Sequence, residues 1–363
     1  MAAALRLAER GRSTCAPNPA VGCVVVREGS VVGQGFHERA GEPHAEIIAL
    51  AQAGEQARGS TLYVTLEPCC HQGRTGPCTD VLQRADVHRL VVAMEDPNPL
   101  VSGSGARILR DAGIQVDVGL MGEVAAELNR GFVSRMRRNR PFVRAKIAAS
   151  LDGGTALADG ASQWITGPAA RRDVQRLRAQ SPMLVTGIGT VLADDPQLSV
   201  RDPDVLQHLG PKYRVPARAV IDTSLRMPPA ARMLQSPGEV LIFCADSGVH
   251  VEPRVRALNN AGATVIPCPK VTQWVDLDAV LAHLAAHEIN EVLLEAGATL
   301  TGSFLAAGLV DELVIYQSPC FLGHTTRRMA RLPGIEQLRD RLGWVWTDVR
   351  QVGDDLRITA RRP

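Results

Sequence analysis

The sequence contains few lysines, few aromatic residues and no long apolar run. Only three of its 40 basic residues are lysine, and aromatic residues make up 4% of the chain. The net charge of +2 gives no global positive excess of the kind that nucleic-acid-binding domains carry. No run reaches the roughly 18 apolar residues that a spanning helix needs, so we expect no membrane span. The length of 363 residues exceeds the usual size of a single core and predicts two domains.

The sequence also lacks a regular cysteine framework. Its eight cysteines are scattered, and only Cys69, Cys70 and Cys78 lie close together. This pattern favours a metal site in a reducing compartment over disulfides, and we therefore expect a cytoplasmic protein. The first ten residues predict an amphipathic helix and lack the uncharged apolar core of a signal peptide.

A His-Ala-Glu motif, followed by Pro-Cys-Cys and Pro-Cys motifs, supplies the residue types of a hydrolytic zinc site. His44, Cys69 and Cys78 are the predicted metal ligands. Three protein ligands leave a fourth tetrahedral position open for water, whose pKa zinc lowers towards neutrality. Glu46 is then free to act as the catalytic proton carrier, as the glutamate of zinc-dependent nucleobase deaminases does.

The spacing of the cysteines departs from the usual deaminase pattern. That pattern ends in Cys-x-x-Cys, whereas eight residues separate Cys69 from Cys78 here. The long loop indicates a subfamily of these deaminases. A closed structural zinc knuckle, with Cys70 or His71 as the fourth ligand, is the alternative, but it leaves Glu46 without a role.

Strand and helix patterns alternate along the chain, which predicts α/β domains. The first third places Pro43 in the first turn of the helix that carries Glu46, and Cys78 at the start of another helix, where the dipole favours a thiolate. Residues 122–138 predict one continuous helix. Beyond residue 141 the same alternation predicts a second, mostly parallel sheet.

The composition changes around Arg138–Pro141, where five arginines crowd residues 135–144. We place the domain boundary there and predict domains of residues 1–139 and 140–363. The arginines could form a nucleic-acid patch. In a chain of net charge +2, a solvated helix end followed by a linker is the simpler interpretation.

Two features of the second domain suggest phosphate binding. The glycine-containing turn at residues 297–303 follows a strand and opens a helix, whose N-terminus attracts phosphate, although it is not the Gly-x-Gly-x-x-Gly pattern of dinucleotide-binding folds. Arg178 and Arg201 suit a ribose phosphate, because a guanidinium binds phosphate through two hydrogen bonds. Glu295 could bind ribose hydroxyls or cap a turn, and Trp164 could stack on a cofactor or belong to the core.

The motifs as a whole resemble those of the bifunctional riboflavin biosynthesis proteins. These join diaminohydroxyphosphoribosylaminopyrimidine deaminase to 5-amino-6-(5-phosphoribosylamino)uracil reductase. The resemblance covers nearly the whole chain, in order, through Pro-Asn-Pro-Ala-Val-Gly at residues 17–22, Gly-Glu-Pro-His-Ala-Glu at 41–46, Lys-Ile-Ala-Ala-Ser-Leu-Asp-Gly at 146–153 and Leu-Ala-Asp-Asp-Pro at 192–196. It implies a cytidine-deaminase-like N-terminal domain and a dihydrofolate-reductase-like C-terminal domain. It also implies zinc and NADPH as cofactors, a pyrimidine ribose phosphate as substrate, and a homo-oligomer formed through the reductase domain.

The resemblance further implies roles for individual residues. The predicted NADPH contacts are Ala148, Trp164, Thr190, Asp194, Thr223, Gly297, Ala298, Thr299, Leu300, Thr301, Gly302 and Ser303. The predicted substrate contacts of the reductase are Ser162, Arg178, Leu198, Arg201 and Glu295. Asn18 and His37 are predicted substrate contacts of the deaminase, although a turn asparagine and a loop histidine would look the same. The chain departs from the family at Gly76, where proline is commoner, and at Thr223, where serine is common.

Two other functions fit parts of the sequence. One is a nucleic-acid base deaminase with an accessory domain, suggested by the arginines near residue 138. The other is a non-catalytic interaction protein stabilised by zinc, which the position of Glu46 disfavours.

Overall fold

The computed structural model describes residues 1–70, 76–99, 101–210, 213–246 and 252–363. Its contacts divide the chain into two compact units, Met1–Arg140 and Pro141–Pro363. No helix in these described ranges is long and apolar enough to cross a membrane. Of the arginine-rich segment, Arg135, Arg137 and Arg138 end the last helix of the first unit, and Arg144 lies in the first strand of the second.

The first unit is built on a mixed five-stranded sheet. Its first strand pairs antiparallel with the second and third, and the third, fourth and fifth strands run parallel. The spatial order is β2-β1-β3-β4-β5. The strands are β1 (Gly22–Arg27), β2 (Ser30–Phe36), β3 (Thr61–Val64), β4 (Arg89–Val92) and β5 (Gln115–Val118).

Within the described residues, six helices accompany this sheet, and glycines in the strands let helices pack closely against it. They are α1 (Ala2–Gly11), α2 (Ala45–Ala53), α3 (Cys78–Arg84), α4 (Ser104–Asp111), α5 (Gly122–Leu128) and α6 (Arg130–Arg138). Helix α2 approaches β2 so closely that a Cβ atom added at Gly35 would lie 2.6 Å from the carbonyl oxygen of Ala45. Because Gly35 has no side chain, the start of α2 can pack this closely against β2.

Two local expectations for the first unit are wrong. Residues 122–138 form two helices, because the chain breaks at Asn129, whose side-chain amide exchanges hydrogen bonds of 2.7 and 2.9 Å with the backbone of Ala20. Pro43 does not lie in the first turn of α2, since the N-cap residue is His44 and Pro43 precedes it.

The second unit contains a nine-stranded sheet of order β11-β10-β9-β8-β14-β6-β15-β18-β17. The seven strands from β11 to β15 run parallel, as expected, and the last two are antiparallel. These nine strands are β6 (Phe142–Ser150), β8 (Met183–Gly187), β9 (Ala217–Ile221), β10 (Val240–Ala245), β11 (Ala263–Cys268), β14 (Glu291–Leu294), β15 (Glu312–Ser318), β17 (Val345–Val352) and β18 (Asp355–Arg361). Two short pairs lie outside it, β7 (Gly154–Ala156) with β16 (Arg327–Arg328) and β12 (Lys270–Val271) with β13 (Trp274–Val275).

Helices cover both faces of the large sheet, and each face has its own hydrophobic core. The helices are α7 (Pro168–Ala179), α8 (Ile188–Asp194), α9 (Pro203–Leu209), α10 (Glu252–Asn260), α11 (Leu277–Ala286) and α12 (Ala298–Ala306). Leu184, Val220 and Ile242 fill one core, and Val185, Phe243 and Leu294 fill the other. Parallel strands that are covered on both faces consist of continuous apolar runs, and the sequence contains such runs at these strands.

Candidate functional site

The predicted metal ligands of the first unit come together in the structure. His44 is the N-cap residue of α2, Cys78 is the first residue of α3, and Cys69 lies on the segment that follows β3. Their ligand atoms all lie within 4.8 Å of one another. Two helix N-termini therefore meet at the cluster, and their positive dipole ends favour thiolate sulfur.

The geometry of the cluster fits zinc. The Nδ1 atom of His44 lies 3.2 Å from the Sγ atom of Cys78 and 3.5 Å from that of Cys69. With the usual zinc–sulfur and zinc–nitrogen bond lengths, tetrahedral ligands lie about 3.5 Å apart. A hydrogen bond from Cys78 and the neighbouring His44 lower the pKa of Cys69, while the bond to Cys69 raises the pKa of His44. Cys70 is outside the cluster, and His71 lies outside the described residues.

Glu46 lies beside the cluster without belonging to it. It occupies the first turn of α2 and is 3% exposed, and its carboxyl group interacts with the neighbouring Cys78 and His44. Burial raises the pKa of Glu46, although the nearby His44 opposes this. A buried carboxyl group with a raised pKa next to a metal site is suited to taking up and releasing a proton.

Asn18 and His37 form a polar pair next to the predicted ligand His44. The Nδ2 atom of Asn18 lies 2.9 Å from Nε2 of His37, and Nδ1 of His37 lies 3.2 Å from the carbonyl oxygen of Pro43. Because a carbonyl oxygen can only accept a hydrogen bond, Nδ1 of His37 carries the hydrogen, Nε2 accepts a hydrogen bond from the Asn18 amide, and the ring is neutral. Burial lowers the pKa of His37, in agreement with this state. The ring of His37 meets that of His44 edge to face at 5.3 Å.

Sequence reasoning missed Glu67, which fixes the segment that carries Cys69. The buried Glu67 carboxylate accepts hydrogen bonds from the backbone N–H groups of Asp96, Gly103 and Ala106, at 2.9 to 3.1 Å. It thereby satisfies the N-terminus of α4, which has no cap of its own. A glutamate two residues before a predicted ligand, directly after a strand, was the available signal.

The second unit has a cavity of about 1610 Å³ at the carboxyl ends of its parallel strands. In open α/β sheets, ligands bind at this edge. Ten of the twelve predicted NADPH contacts line it, namely Ala148, Trp164, Thr190, Asp194, Thr223, Gly297, Ala298, Thr299, Leu300 and Ser303. All five predicted substrate contacts line it too, namely Ser162, Arg178, Leu198, Arg201 and Glu295.

Two predicted cofactor residues, Thr301 and Gly302, do not line the cavity. Thr301 is buried, and its hydroxyl donates to the carbonyl oxygen of Ala296. Gly302 faces the backbone of Arg331, whose carbonyl oxygen would lie 2.0 Å from an added Cβ atom. Both residues therefore lie on the side of α12 that packs away from the cavity.

The N-terminus of α12 provides a place for phosphate in the cavity. Its N-cap residue, Gly297, has an extended backbone and no side chain to accept a hydrogen bond from the first-turn N–H groups. The hydroxyl of Thr190 lies 3.9 Å from the position of an added Cβ atom at Gly297. Uncapped N–H groups at a helix N-terminus bind phosphate, so the site fits the pyrophosphate of a dinucleotide.

A buried ion cluster forms another part of the cavity wall. The Nε and Nη2 atoms of Arg178 donate to the two carboxylate oxygens of Glu295 at 2.6 and 3.0 Å. Lys146, which sequence reasoning did not single out, lies 3.7 Å from the same carboxylate. Burial alone would raise the pKa of Glu295, but the two cations outweigh it and lower the pKa to about 2.

Arg201 and Arg232 complete a positive region around this cluster. Both line the cavity and interact electrostatically with each other, and Arg201 also interacts with Arg178. Their backbones are fixed, because the N–H of Arg201 donates to Gln175 and that of Arg232 donates to Asp195. Burial and the two neighbouring cations lower the pKa of Arg201. Four cations and one carboxylate make this part of the cavity a binding site for an anion.

Two family models match the chain, one in each unit. The model of the cytidine and deoxycytidylate deaminase zinc-binding region matches residues 1–94, and that of the RibD C-terminal domain matches residues 141–357. The riboflavin biosynthesis protein RibD of Escherichia coli is 48% identical over 361 residues, which cover 98% of this chain and 96% of that protein. The chain belongs to the RibD family.

Solved structures agree with this assignment over both units. A RibD structure from Acinetobacter baumannii has 42% identity and a TM-score of 0.91, covering 100% of this chain and 97% of that one. A diaminohydroxyphosphoribosylaminopyrimidine deaminase/5-amino-6-(5-phosphoribosylamino)uracil reductase from Thermotoga maritima has 30% identity and a TM-score of 0.85, with the same coverage. The N-terminal unit of the chain is cytidine-deaminase-like, and the C-terminal unit is a reductase domain of the RibD type.

Membership of the RibD family gives the chain its general function. It is a bifunctional deaminase and reductase of riboflavin biosynthesis, with zinc and NADPH as cofactors. The residues described above fit both cofactors. One imidazole and two thiols suit zinc, and the uncapped helix N-terminus in a large cavity suits NADPH. The alternative of a nucleic-acid base deaminase is not favoured.

Proposed function

We propose that the first unit deaminates 2,5-diamino-6-ribosylamino-4(3H)-pyrimidinone 5′-phosphate and that the second reduces the resulting 5-amino-6-(5-phosphoribosylamino)uracil to its ribityl form. The observation that carries the proposal is the combination of the His44–Cys69–Cys78 cluster with a buried Glu46 in one unit and an arginine-rich cavity in the other. Domains of residues 1–139 and 140–363 hold the two activities in this proposal. The substrate follows from the name of the Thermotoga maritima relative.

In the deaminase, His44, Cys69 and Cys78 hold the zinc ion. Zinc, when bound, supplies the Lewis acidity that makes water a nucleophile near neutral pH. Glu46 takes the proton of the attacking water and passes it to the departing amine, so that a ring C–NH₂ group and water become a carbonyl group and ammonia. The raised pKa of Glu46 suits both halves of this transfer, since the group must bind and release a proton in one cycle.

Asn18 and His37 position the substrate in the deaminase. Their hydrogen bond and the contact of His37 with Pro43 fix both side chains before substrate arrives. A neutral imidazole next to the cluster adds no positive charge that would compete with the metal. Because both side chains are already fixed, they orient the substrate ring for attack without losing further conformational entropy.

In the reductase, the cavity holds the pyrimidine ribose phosphate beside NADPH. NADPH, when bound, supplies the hydride that reduces the ribose carbon. Arg201 binds the substrate phosphate, while Arg178 holds Glu295, whose carboxylate faces the ribose hydroxyls. Ser162 and Leu198 line the same part of the cavity. The N-terminus of α12, with Thr190, holds the cofactor pyrophosphate.

The protein acts on small molecules in this proposal and has no nucleic-acid or membrane partner. All eight cysteines lie in the described ranges and are free, which supports a reducing, cytoplasmic location. A homo-oligomer, a dimer or larger, formed through the reductase domain is part of the same proposal. Sedimentation of the purified chain at several concentrations tests the assembly, and a monomer at every concentration would contradict it.

The function is tested by incubating the purified protein with the diaminopyrimidine ribose phosphate, with and without NADPH, followed by mass spectrometry. Without NADPH, the product should be heavier by about one mass unit, because NH is replaced by O. With NADPH, it should gain two further hydrogens. Release of ammonia from single-stranded RNA or DNA, with none from the pyrimidine, would overturn the proposal in favour of a nucleic-acid base deaminase.

A further inference from the structure

Eight arginines line the reductase cavity, and three of them, Arg171, Arg178 and Arg328, have hydrogen-bonded guanidinium groups. Arg171 donates to the carbonyl oxygen of Thr166 and lies over the ring of Trp164, and Arg328 donates to the carbonyl oxygen of Asp152. Arg226 differs from these. Within the described part of the chain, its guanidinium has neither a carboxylate nor a carbonyl partner, and it is exposed to the cavity.

Arg226 belongs to a rigid turn that follows β9. The Asp222 carboxylate accepts the N–H of Met227 at 2.8 Å, and its carbonyl accepts the N–H of Leu225 at 3.1 Å. Leu225 is buried, and the residues on either side of it, Ser224 and Arg226, are exposed and line the cavity. The turn therefore presents one hydroxyl and one guanidinium to the same space.

An exposed tryptophan stands beside this turn. Trp274 begins β13, lines the cavity and is 56% exposed. The N–H of the next residue, Val275, donates to the hydroxyl of Thr223 at 3.4 Å, which joins the hairpin to the turn. A large aromatic side chain that stays exposed in a nucleotide cavity offers a stacking surface for a base.

The positions of the other anion sites point to what this group binds. In the proposed function, the N-terminus of α12 binds the cofactor pyrophosphate, and Arg201 with Arg232 binds the substrate phosphate. The end of β9 is two strands away from β14, which leads into α12, or about 10 Å along the edge of the sheet. NADPH carries one more phosphate, on the 2′ oxygen of its adenosine.

Resting on the proposed function, we propose that Arg226 and Ser224 bind the 2′-phosphate of NADPH and that Trp274 stacks on its adenine ring. The guanidinium meets two phosphate oxygens at once, and the hydroxyl donates to a third. The nearby Asp222 does not reverse this preference for NADPH, although an acidic residue at this position can bind the free 2′-hydroxyl of NADH. Asp222 is fully buried, and one of its oxygens is committed to Met227.

The test measures binding of two cofactor fragments to the full chain by calorimetry, adenosine 2′,5′-bisphosphate and adenosine 5′-monophosphate. Arg226→Ala should lower the affinity for adenosine 2′,5′-bisphosphate about ten- to hundredfold and leave the affinity for adenosine 5′-monophosphate unchanged, because only the bisphosphate carries the 2′-phosphate. Trp274→Ala should lower the affinity for both fragments alike, by about five- to hundredfold, because the adenine ring that stacks on Trp274 is common to both. Arg254→Ala, an exposed arginine on α10 outside the cavity, is the matched control and should change neither.

The possible failures are distinguishable. If the unsubstituted protein binds neither fragment, the cofactor assignment itself is wrong. If it binds both but Arg226→Ala loses nothing, or loses both equally, the 2′-phosphate is recognised elsewhere and this inference alone fails. A preference of the unsubstituted protein for the monophosphate would indicate that Asp222 selects a free 2′-hydroxyl, which also overturns the inference.

Discussion

Arg178 and Glu295 are joined by two hydrogen bonds of 2.6 and 3.0 Å. The guanidinium of Arg178, which the sequence predicts to bind phosphate, is therefore already paired with a carboxylate. Lys146 supports the same carboxylate from 3.7 Å. The pair is preorganised, and we therefore propose that Arg201 and Arg232, rather than Arg178, bind the incoming phosphate. This division gives different expectations for arginines that look equivalent in sequence.

Arg201→Lys should raise KM for the pyrimidine substrate and leave KM for NADPH nearly unchanged. Lysine keeps the charge but cannot donate two parallel hydrogen bonds to phosphate. Loss of one charged hydrogen bond is worth on the order of 1.5–3 kcal/mol, or roughly ten- to hundredfold in kcat/KM. Steady-state kinetics with each substrate varied in turn measures the effect. Weaker NADPH binding alone would place Arg201 in the cofactor site.

The ion pair predicts a pH dependence of stability. The pKa of Glu295 is lowered to about 2 in the folded protein, against about 4.3 in an unfolded chain. Its contribution is therefore complete above pH 4.3 and is lost as the pH falls towards 2. Glu295→Gln should cost about 3–5 kcal/mol at pH 6, because it leaves Arg178 buried without its partner.

Urea unfolding followed by tryptophan fluorescence measures this cost. All four tryptophans, at positions 164, 274, 344 and 346, lie in the second unit, so the signal reports that unit. The difference between Glu295→Gln and the unsubstituted protein should narrow when the pH falls from 4.5 to 3. A difference that is constant across this range would contradict the low pKa.

Glu46→Gln should keep one zinc ion per chain and lose deamination. Glutamine preserves the shape of the side chain but cannot carry a proton, and general acid–base catalysis contributes about 10²–10⁴-fold. Cys78→Ala should lose tight zinc, because it removes one of the three ligand atoms. Metal analysis and ammonia release distinguish the two variants. Stoichiometric zinc in Cys78→Ala would contradict the ligand assignment.

The two activities should be separable. Glu46→Gln should still reduce supplied 5-amino-6-(5-phosphoribosylamino)uracil at the normal rate, because Glu46 and the cavity belong to different compact units. NADPH consumption followed at 340 nm, the usual absorbance of the reduced nicotinamide, gives the rate. A fragment ending near Arg138 should deaminate, and one beginning near Pro141 should reduce. Reduction that vanishes in Glu46→Gln would mean that the sites are coupled.

Gly35→Ala should weaken the metal site from a distance. The added methyl group would lie 2.6 Å from the carbonyl oxygen of Ala45, so the start of α2, with His44, has to move away from the sheet. We expect a destabilisation of about 1–3 kcal/mol and earlier zinc release in urea, detected with a chromogenic chelator. Gly343→Ala is the control, because nothing lies within 4 Å of its added Cβ atom.

The sequence predicted the elements of this protein well where a local pattern determines them. The buried parallel strands appear as apolar runs, the ligands His44 and Cys78 lie at helix starts that follow a proline, and Cys69 lies after a strand. It failed at Asn129, where a contact with Ala20, 109 positions away, breaks a helix that is continuous by local pattern.

The engagement of Arg178 was equally invisible in the sequence. Glu295 lies 117 positions away, and only the tertiary fold brings the last turn of α7, with Arg178, to the end of β14. The same holds for Arg226, Trp274 and Glu67, whose roles depend on which loops meet at one edge of a sheet. Long-range pairing of this kind leaves no periodic signal, and single residue types such as arginine are too common to mark a site.

The reductase cavity is continuous, and this has a consequence for inhibitor design. The arginines near Glu295 and the turn that holds Arg226 line the same space of about 1610 Å³. A compound that links a ribose phosphate mimic to an adenosine bisphosphate could occupy both ends at once, and its second half would bind at the high effective concentration that a short tether creates. Neither half alone has this advantage.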